Sequence, residues 1–555
     1  MRPKFIFISG GVISGIGKGL ATAAISLLLK SRGFMVSPIK CDPYINVDAG
    51  TMNPVVHGEI FVLDDGSETD QDLGHYERFL GENLSALNYM TTGQVYQTVI
   101  ARERNLEYGG KCVEVVPHIP EEIIRRIEKG GEERKANIVL VEIGGTVGEY
   151  QNALFLEANR MLKLARPEDV LHIHLGYLPI PLSIGEMKSK PVQMSVRALN
   201  SVGLQPDFIL GRSEKPLDEI RKEKLALFCN VDKDDVISAP DVTNIYEIPL
   251  NFEKQNLTEK ILKKFGLKSR KRDLLDWEKM VQKSNQLKKE VKIGIVAKYY
   301  TSGDFSLGDS YISVLEAIKH AAWFNNVKPE IVWIDSEKLE TLNTQKLTEA
   351  LKGVDGVVVP QGWGSRGVEG KIKAVQYARE NKIPYLGLCF GMQMAVIEFG
   401  RNVLGLTGAN STEVNPKTKH PVIHIMPDQK EYLEKHQYGG TIRLGAWPCK
   451  LIRGTKTANC YEKYNKTTNS QLLITNYLIS ERHRHRYEFN NKYQELFEKA
   501  GMKISGVSPD GKLIEAVEIP DHPFFVGIQF HPEYKSRFLS PHPLFLEFIK
   551  AAMLQ

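Results

Sequence analysis

Two short segments of this sequence carry residues whose types and spacing are suited to chemistry. The first is a glycine-rich loop at residues 10–19, which follows an apolar run and contains Lys18. Such a loop lets backbone N–H groups approach phosphate and the lysine adds a point charge, so the segment predicts nucleotide binding. A strict P-loop has glycine at position 12 and Ser or Thr at 19, whereas this chain has Val12 and Gly19. The alternative, a tight strand-to-helix turn, has no need of a lysine.

The second segment runs from Gly387 through Cys389 to Gly391 and has the spacing of a nucleophile elbow, with cysteine in the place of serine. The glycines permit a sharp turn that presents the sulfur at the start of a helix, where the helix dipole favours the thiolate. We predict that Cys389 is a nucleophile. The alternative is a buried structural cysteine at the end of a strand.

A cysteine nucleophile needs a base and a group that orients this base. Near the C-terminus an apolar strand is followed by His531, Pro532 and Glu533. We predict that His531 takes the thiol proton and that Glu533 holds the imidazole. The glycine-rich turn at 360–367, together with the N–H of Phe390, is predicted to form the oxyanion hole.

A bound triphosphate requires Mg²⁺, and Mg²⁺ requires carboxylates near the loop. Glu142 lies at the end of an apolar strand, where α/β sheets bind ligands, and Asp72 lies in an acidic stretch. We predict both as metal ligands, although Asp72 alone is equally well read as a solvated loop acid. Lysines suited to phosphate lie at a strand end, in a proline-stiffened loop and in a basic helix: Lys40, Lys188, Lys190 and Lys224.

Short apolar runs that alternate with amphipathic segments predict the elements that position these residues. In the first half we predict a helix at 19–31 and strands at 4–9, 35–40, 136–143, 169–175 and 207–210. In the second half we predict a helix at 310–324 and strands at 291–297, 330–334, 354–359 and 384–388. The strand at 330–334 is expected to start just after Pro329. The predicted fold class is α/β, with two doubly wound, mainly parallel sheets.

The composition excludes several classes of protein. Of the 555 residues 42% are apolar and 25% charged, which excludes disorder, and the net charge of +5 is too small for a bulk nucleic-acid binder. The six cysteines include no C-x-x-C pair, which argues against a disulfide scaffold or zinc ribbon and predicts a reducing, cytoplasmic location. We expect no membrane span, and glycines interrupt the short N-terminal run that could pass for a signal peptide.

The composition changes between residues 256 and 290, which are rich in Lys, Arg and Glu. The basic run at 263–272 permits a nuclear-targeting or nucleic-acid interpretation, but a solvated linker fits ordinary charge patterns better. We predict a first domain at 1–266, a charged linker at 267–290 and a second domain at 291–555.

In their order along almost the whole chain, these motifs resemble the glutamine-hydrolysing CTP synthase family. The segments that carry the resemblance include GGVISGIGKG, KCDPYINVDAGTMNP, ETDQDLGHYERF, VEIGGTVG, ERHRHRYE and QFHPE. The resemblance implies a P-loop NTPase-like synthetase (ammonia ligase) domain joined to a class I glutamine amidotransferase domain. In that family ATP phosphorylates O4 of UTP, and ammonia released from glutamine at Cys389 passes through an internal tunnel to form CTP, a step of pyrimidine biosynthesis.

The resemblance also implies partners and roles for single residues. It implies Mg²⁺ as cofactor, GTP as allosteric activator, CTP as feedback inhibitor and a homotetramer built as a dimer of dimers, with no nucleic acid or membrane. ATP is assigned to Gly15, Ile16, Gly17, Lys18, Gly19, Leu20, Lys40, Asp72, Pro240, Asp241 and Val242. UTP or CTP is assigned, in part from a neighbouring subunit, to Ser14, Glu149, Tyr150, Gln151, Lys188, Ser189, Lys190, Pro191, Val192, Gln193 and Lys224. Glutamine is assigned to Gly362, Phe390, Gly391, Met392, Gln393, Glu413 and Arg486, and the ammonia tunnel to Pro54, His57 and Ile60.

Four sites depart from the family pattern. Gln361 replaces a glycine in the oxyanion turn, so it needs an allowed backbone conformation. The residues Glu-Tyr-Gln at 149–151 replace Asp-Ile-Glu, which predicts weakened or altered inhibition by CTP. Val192 replaces a hydroxyl residue, which predicts the loss of one phosphate hydrogen bond, about 0.5–1.5 kcal/mol. Pro240 stands where a basic residue is usual beside adenine.

Two alternatives stay open from the sequence. One is another P-loop amidoligase with a fused glutaminase that acts on a carboxylate, which the loop at 188–193 and the segment ETDQDLGHYERF oppose. The other is a polymer-forming or regulatory scaffold without chemistry. The intact set of Cys389, His531, Glu533 and Lys18 opposes it, because a scaffold needs none of them.

Overall fold

The structure is a computed structural model, which describes residues 2–53, 57–298, 301–302, 305–306, 308–426, 429, 440–465 and 476–555. The chain forms two compact units. The first contains Met1–Ala49 and Asp72–Val281, and the second contains Gly50–Gln71 and Gln282–Gln555. Gly50–Gln71, which we call the inserted segment, therefore packs with the second unit although it precedes most of the first.

The first unit is built on a sheet of seven strands that are all parallel. In sheet order the strands are Tyr89–Thr91, Val36–Asp42, Ile138–Ile143, Lys4–Gly11, Val170–Tyr177, Phe208–Ser213 and Val236–Pro240. The strand at Ile138–Ile143, which lies between two other strands of the sheet, has the sequence IVLVEI and is buried throughout. A run of this kind without alternation is typical of a parallel strand that is covered by helices on both faces.

Helices connect these strands. They are Lys18–Ser31, Asp72–Leu80, Thr92–Arg104, Val115–Glu133, Ala153–Ala165, Lys190–Ser201, Glu219–Cys229, Ile248–Glu253 and Leu257–Lys264, with short 3₁₀ turns at Ala86–Asn88, Pro167–Asp169, Lys233–Asp235 and Ile245–Glu247. A further helix at Leu275–Gln286 lies inside the predicted linker, and its Trp277 is buried and donates its ring N–H to the Tyr246 carbonyl at 2.9 Å. Part of that charged stretch is therefore anchored in the first unit; the predicted domain boundaries stay predictions.

The second unit is built on a sheet of nine strands. Five are parallel neighbours: Lys328–Asp335, Glu290–Ala297, Gly356–Val359, Tyr385–Leu388 and Phe525–Ile528. The sheet continues with antiparallel pairing through Ile514–Glu518, Lys503–Val507, Arg443–Leu451 and Leu478–His485. The predicted α/β class is confirmed in both units, and the sheet is parallel throughout in the first unit and mixed in the second.

Helices and smaller strands complete the second unit. The helices are Ile312–Phe324, Ser336–Thr341, Thr344–Leu351, Val368–Glu380, Phe390–Asn402, Lys456–Asn465, Gln494–Lys499 and Pro543–Ala552, with 3₁₀ turns at Gly308–Tyr311, Asn491–Tyr493 and Pro532–Lys535. The small sheets join Phe61–Val62 with Glu68–Thr69, Thr301–Ser302 with Phe305–Ser306, and Pro421–Ile425 with Asn410–Ser411 and Tyr487–Phe489. Among the described residues no helix is long and apolar enough to span a membrane.

The expected start of one strand was wrong. The strand predicted from residue 330 begins at Lys328 and includes Pro329. It is the outermost strand of the nine-stranded sheet and pairs only with Glu290–Ala297 among the described strands. An edge strand tolerates proline because the missing N–H is not needed for pairing on its open side.

Candidate active sites

The glycine-rich loop of the first unit joins the strand Lys4–Gly11 to the helix Lys18–Ser31, as predicted. Gly15 and Gly17 have φ of 70° and 88°, a conformation that favours glycine. Val12 also has φ of 88°, which is unusual for a β-branched residue and explains why a strict P-loop has glycine there. Lys18 is buried and its ammonium donates to the Gly145 carbonyl at 2.7 Å. Burial lowers the pKa of Lys18, although the Glu142 carboxylate opposes this change.

Gly19, the second departure from a strict P-loop, has a steric cause. A Cβ at this position would lie 1.8 Å from Oδ1 of Asp72, which is closer than any real contact of this kind. Asp72 begins the helix Asp72–Leu80 and thus approaches the first turn of the helix that follows the loop. Because Gly19 has no side chain, the Asp72 carboxylate can lie close to the first turn of the helix Lys18–Ser31.

The predicted metal ligands Asp72 and Glu142 lie in one acidic cluster of the first unit. The ammonium of Lys40 donates to both carboxylates, at 2.9 Å from Oε1 of Glu142, and the Tyr76 hydroxyl donates to the other oxygen of Glu142. Burial and the charge of Asp72 raise the pKa of Glu142 to about 7, against the opposing effect of Lys40. Sequence reasoning missed Asp42, whose carboxylate is buried and has one oxygen without a hydrogen-bond partner.

This donor set fits Mg²⁺. Asp42, Asp72 and Glu142 offer only oxygen, which is the ligand that Mg²⁺ prefers, and they surround a lysine that cancels part of their charge. A buried carboxylate oxygen without a hydrogen-bond partner is costly, as for one oxygen of Asp42, and a cation would relieve that cost.

A cavity in the first unit brings together most of the residues assigned to ATP. Its lining includes Ile16, Gly17, Leu20, Pro240, Asp241 and Val242. Its walls are mainly apolar, as an adenine ring requires. Arg212 also lines it and was missed: its guanidinium donates to the Ile16 carbonyl at 2.9 Å and pairs with Asp241 at 3.0 Å. The only sequence signal for Arg212 was its place near the carboxyl end of a buried strand, Phe208–Ser213.

The residues assigned to UTP or CTP are spread over several separate segments of the first unit. Ser14, the stretch at 149–151, Lys190 and Lys224 are exposed, and Lys188 pairs with Glu186 at 2.7 Å. The assignment of Val192 stays a prediction that concerns its main chain, because its side chain is fully buried in an apolar cluster. A Cβ on Gly176 would lie 2.7 Å from it. Only the main chain of Val192, in the first turn of the helix Lys190–Ser201, is left to meet phosphate.

In the second unit, Cys389 lies at the elbow that the sequence predicts. The strand Tyr385–Leu388 ends directly before it and the helix Phe390–Asn402 begins directly after it. Its backbone has φ of 51° and ψ of −98°, the strained conformation of a nucleophile at a sharp turn. A Cβ at Gly391 would lie 2.0 Å from the Val359 carbonyl oxygen, so this glycine is required for the tight packing of the elbow.

The predicted base and its orienting group are also in place. His531 and Glu533 are buried, and Nδ1 of His531 lies 2.7 Å from Oε1 of Glu533. Burial lowers the pKa of His531, but the charges of Glu533 and Cys389 outweigh this effect and raise it to about 10. A raised pKa makes His531 a strong acceptor for the proton of the Cys389 thiol. Tyr534 covers one face of the His531 ring, with centroids 5.0 Å apart and planes at 13°.

A pocket surrounds the Cys389 sulfur. Its lining comprises Gln361, Gly362, Trp363, Cys389, Phe390, Gln393, Glu413, Arg484, His485, Arg486, Tyr487 and His531. Glu413 accepts a hydrogen bond from the Gly364 N–H at 2.7 Å, and burial raises its pKa. Two residues assigned to glutamine are not part of this lining: Met392 is packed in the apolar core, and Gly391 lies close to Val359 at the elbow. Their assignment to glutamine stays a prediction.

Two lysines behind the pocket were missed by sequence reasoning. The ammonium of Lys298 lies 4.7 Å from the centre of the Phe390 ring, and that of Lys371 lies 5.4 Å from it. Lys371 also donates to the Pro360 carbonyl at 3.0 Å. Burial lowers the pKa of Lys298 to about 8 and that of Lys371 further. Both lysines support the oxyanion turn, and their positions in the sequence give no signal of this role.

The inserted segment forms part of the wall of a second cavity, which adjoins this pocket. Gly50, Met52, Ile60 and Glu68 line it together with Trp363, Glu413, Ile442, Arg484, Arg486 and Tyr487. Of the residues assigned to a tunnel, Ile60 is buried there, His57 is exposed, and Pro54 lies outside the described residues.

Charged contacts hold the inserted segment in the second unit. Nε of Arg482 donates to Asp64 at 2.5 Å and Nε of Arg484 donates to Glu68 at 2.8 Å. The Tyr534 hydroxyl donates to the Ile60 carbonyl at 2.9 Å. Gln361, which stands where the family has glycine, has a negative φ and is therefore in a conformation that a side chain allows. Its amide lies 3.4 Å from the Glu59 carboxylate.

Two family models of known proteins match consecutive parts of the chain. Residues 4–267 match the family model of the CTP synthase N-terminus, and residues 306–551 match that of class-I glutamine amidotransferase. A CTP synthase of Carboxydothermus hydrogenoformans is 52% identical over 551 residues, 99% of this chain and 98% of the relative. CTP synthases of Caldanaerobacter subterraneus subsp. tengcongensis and Pyrococcus abyssi are each 50% identical with the same coverage of both chains.

The fold and the family models define a protein in which an α/β unit with a glycine-rich loop is joined to a class I glutamine amidotransferase unit. Relatives that are about 50% identical over almost the whole chain identify the family within this class. The chain belongs to the CTP synthase family.

Proposed function

We propose that this protein forms CTP from UTP, with ATP to activate the uracil ring and glutamine to supply ammonia, as the final amination of pyrimidine nucleotide biosynthesis. The observation that carries the proposal is that one chain holds both a cysteine elbow with its His531–Glu533 pair and a phosphate loop beside an acidic cluster. Identity of about 50% to CTP synthases over 99% of the chain supports the choice of substrates.

At the glutaminase site, Arg486 suits the α-carboxylate of glutamine and Glu413 suits its α-ammonium. The Cys389 thiol gives its proton to His531 and the thiolate attacks the amide carbon. The N–H groups of Gly362 and Phe390 receive the developing oxyanion. Ammonia leaves with a proton from His531. Water then gives a proton to His531 as it attacks the glutamyl thioester, and cleavage of the C–S bond releases glutamate and returns the sulfur as thiolate.

At the synthetase site, the loop at 15–20 holds the ATP phosphates and Lys18 neutralises the β- and γ-oxygens. Asp72 and Glu142 would hold Mg²⁺, with Asp42 close by, and this ion spreads the charge of the triphosphate when bound. Phosphoryl transfer makes O4 of UTP a leaving group. Ammonia then adds at C4 and phosphate departs, which leaves an amino group in its place.

A CTP-formation assay with UTP, ATP and either glutamine or ammonia tests this proposal. We expect Cys389→Ala to abolish glutamine-dependent synthesis and to keep ammonia-dependent synthesis, while Lys18→Ala abolishes both. Cys460→Ala, at a similarly buried cysteine, and Lys30→Ala, at the other end of the same helix, are matched controls and should leave both activities intact. Loss of both activities in Cys389→Ala would refute the two-site model.

The finer features of the proposal are regulation, assembly and location. We propose activation by GTP, feedback inhibition by CTP, a cytoplasmic homotetramer arranged as a dimer of dimers, and an ammonia path past His57 and Ile60. Exposed apolar side chains at Tyr150 and Leu182 in the first unit are consistent with contacts between subunits. Sedimentation with and without UTP and ATP tests assembly. Inhibition curves with CTP test whether the altered residues at 149–151 weaken feedback.

A further inference from the structure

The amide side chain of Gln529 makes a contact with the nucleophile that the triad does not include. Gln529 is buried and follows the strand Phe525–Ile528 directly, two residues before His531. Its Nε2 lies 3.5 Å from Sγ of Cys389. The main-chain N–H of Gln529 donates to the Glu515 carbonyl at 2.8 Å, which fixes the backbone from which the side chain extends.

Neighbouring groups determine which end of this amide faces the sulfur. A glutamine amide has a carbonyl oxygen that accepts and an NH₂ group that donates. Oε1 of Gln529 receives a hydrogen bond from Nε2 of Gln393 at 3.4 Å, and Gln393 also donates to the Tyr487 carbonyl at 3.0 Å. The NH₂ group of Gln529 is therefore the end that is left for Cys389. A thiolate accepts hydrogen bonds, so the contact suits the charged form of the sulfur.

A second contact of the Cys389 sulfur is possible only when the sulfur is protonated. Sγ of Cys389 also lies 3.8 Å from the Arg484 carbonyl oxygen, which accepts a hydrogen bond only from the protonated thiol. When the proton passes to His531, this contact is lost and the contact from Gln529 becomes charge-assisted. Hydrogen bonds to ionised acceptors are roughly twice as strong as neutral ones. The surroundings of the sulfur thus contain one partner for each protonation state.

We propose that Gln529 is a further catalytic residue of the glutaminase reaction, because its amide N–H donates to the Cys389 sulfur whenever that sulfur carries negative charge. This inference rests on the proposed role of Cys389 as the nucleophile. The charge is present twice in each turnover. It is present before attack, after the thiol proton has moved to His531. It returns when the C–S bond of the tetrahedral adduct formed by water breaks and the electron pair goes back to sulfur.

Two opposing changes determine how much the reactivity of Cys389 falls when the hydrogen-bond donor of Gln529 is removed. Loss of the donor shifts the equilibrium from thiolate toward thiol, by a factor of about 10 to 150 for a bond to a charged group. The remaining thiolate is more basic and therefore a better nucleophile, with a Brønsted slope of about 0.4–0.5. Together these trends leave a net loss of about tenfold in reactivity where the thiol predominates, and a small gain where the thiolate predominates.

The experiment measures alkylation of Cys389 by iodoacetamide in the full-length protein as a function of pH. The labelled peptide is quantified by mass spectrometry because the chain has six cysteines. Gln529→Met keeps the length of the side chain and removes the donor, and Gln529→Glu keeps its shape and replaces the donor by an acceptor. Gln376→Met, at a glutamine that bonds Glu380 on the outer helix Val368–Glu380, is the matched control.

We expect Gln529→Met to react about tenfold more slowly on the acid side of the profile, with its rise moved to higher pH and a plateau at least as high as that of the unchanged protein. Gln529→Glu should be slower still, and Gln376→Met should be unchanged. An unchanged profile for both Gln529 variants would overturn the inference, as would an equal loss at every pH, which would indicate displacement of the sulfur. Glutamine-dependent synthesis by Cys389→Ala would instead refute the proposed function itself.

Discussion

Gly19→Ala provides a sharp test of the proposed synthetase site, because its new methyl group would collide with Asp72, a proposed Mg²⁺ ligand. The new Cβ would lie 1.8 Å from Oδ1 of Asp72, so this oxygen must move by about 1.2 Å to reach the shortest contact that such atoms make, 3.0 Å. A displacement of about 1 Å in a catalytic constellation costs about a hundredfold in rate. We therefore expect ammonia-dependent CTP formation to fall about a hundredfold, since Asp72 is the proposed Mg²⁺ ligand.

The same substitution should not unfold the protein. Alanine is favoured over glycine inside a helix by up to about 1 kcal/mol, and Gly19 lies in the helix Lys18–Ser31. We expect the melting temperature to stay close to that of the unchanged protein and glutaminase activity to persist. Gly400→Ala, where the nearest atom lies at an ordinary 3.4 Å, is the control and should leave synthesis unchanged.

A double-mutant cycle with Asp72→Ala completes the test. If Gly19→Ala acts only by displacing Asp72, the double variant should be no slower than Asp72→Ala alone, because the two changes share one mechanism. Additive losses would contradict the steric explanation. So would a rate for Gly19→Ala within threefold of the unchanged protein.

Three further outcomes follow from single contacts. Glu413→Gln keeps an acceptor for the Gly364 N–H but removes the charge, so steady-state kinetics should give a KM for glutamine raised about tenfold or more and an unchanged KM for ammonia. Burial lowers the pKa of His174 to about 3, so between about pH 6.5 and pH 3 only the unfolded chain binds a proton at this residue, and the folded state loses stability as the pH falls. His174→Gln removes this proton uptake. Denaturant titrations should therefore show a free energy of unfolding that falls less steeply with falling pH in the variant than in the unchanged protein. Tyr534→Phe keeps the ring on His531 and removes the hydrogen bond to the Ile60 carbonyl, and denaturation should give a loss of about 1 kcal/mol; no loss would indicate that water replaces the hydroxyl.

The sequence predicted those features that depend on local pattern. The buried parallel strands and the glycine turns on either side of Cys389 are encoded by neighbouring residues, and the structure has them where the pattern indicates. The triad pair also follows from local spacing, because His531 and Glu533 are two residues apart. Boundaries failed where position in the sheet decides, as at Pro329, which an edge strand accepts.

The features that the sequence did not predict depend on contacts between distant segments. Arg212 reaches the glycine-rich loop from a strand almost two hundred residues away, and Lys298 reaches the Phe390 ring from the position just after the strand Glu290–Ala297. The prediction that Val192 loses one phosphate hydrogen bond came from its place where the family has a hydroxyl residue, and it gave no sign that the side chain packs closely against Gly176. Local pattern cannot show such pairings, because each residue taken alone is an ordinary surface or core residue.

The inserted segment limits how freely this protein can be divided or recombined. A polypeptide that starts at Gln282 would lack Asp64 and Glu68, and would leave the fully buried Arg482 and the largely buried Arg484 without these carboxylates. Removal of one partner from a buried ion pair costs about 3–5 kcal/mol, a large share of the stability of one domain. A chimera that takes its glutaminase part from one parent must therefore take Gly50–Gln71 from the same parent. Gly50–Gln71 and Gln282–Gln555 must be exchanged together, although more than two hundred residues separate them in the sequence.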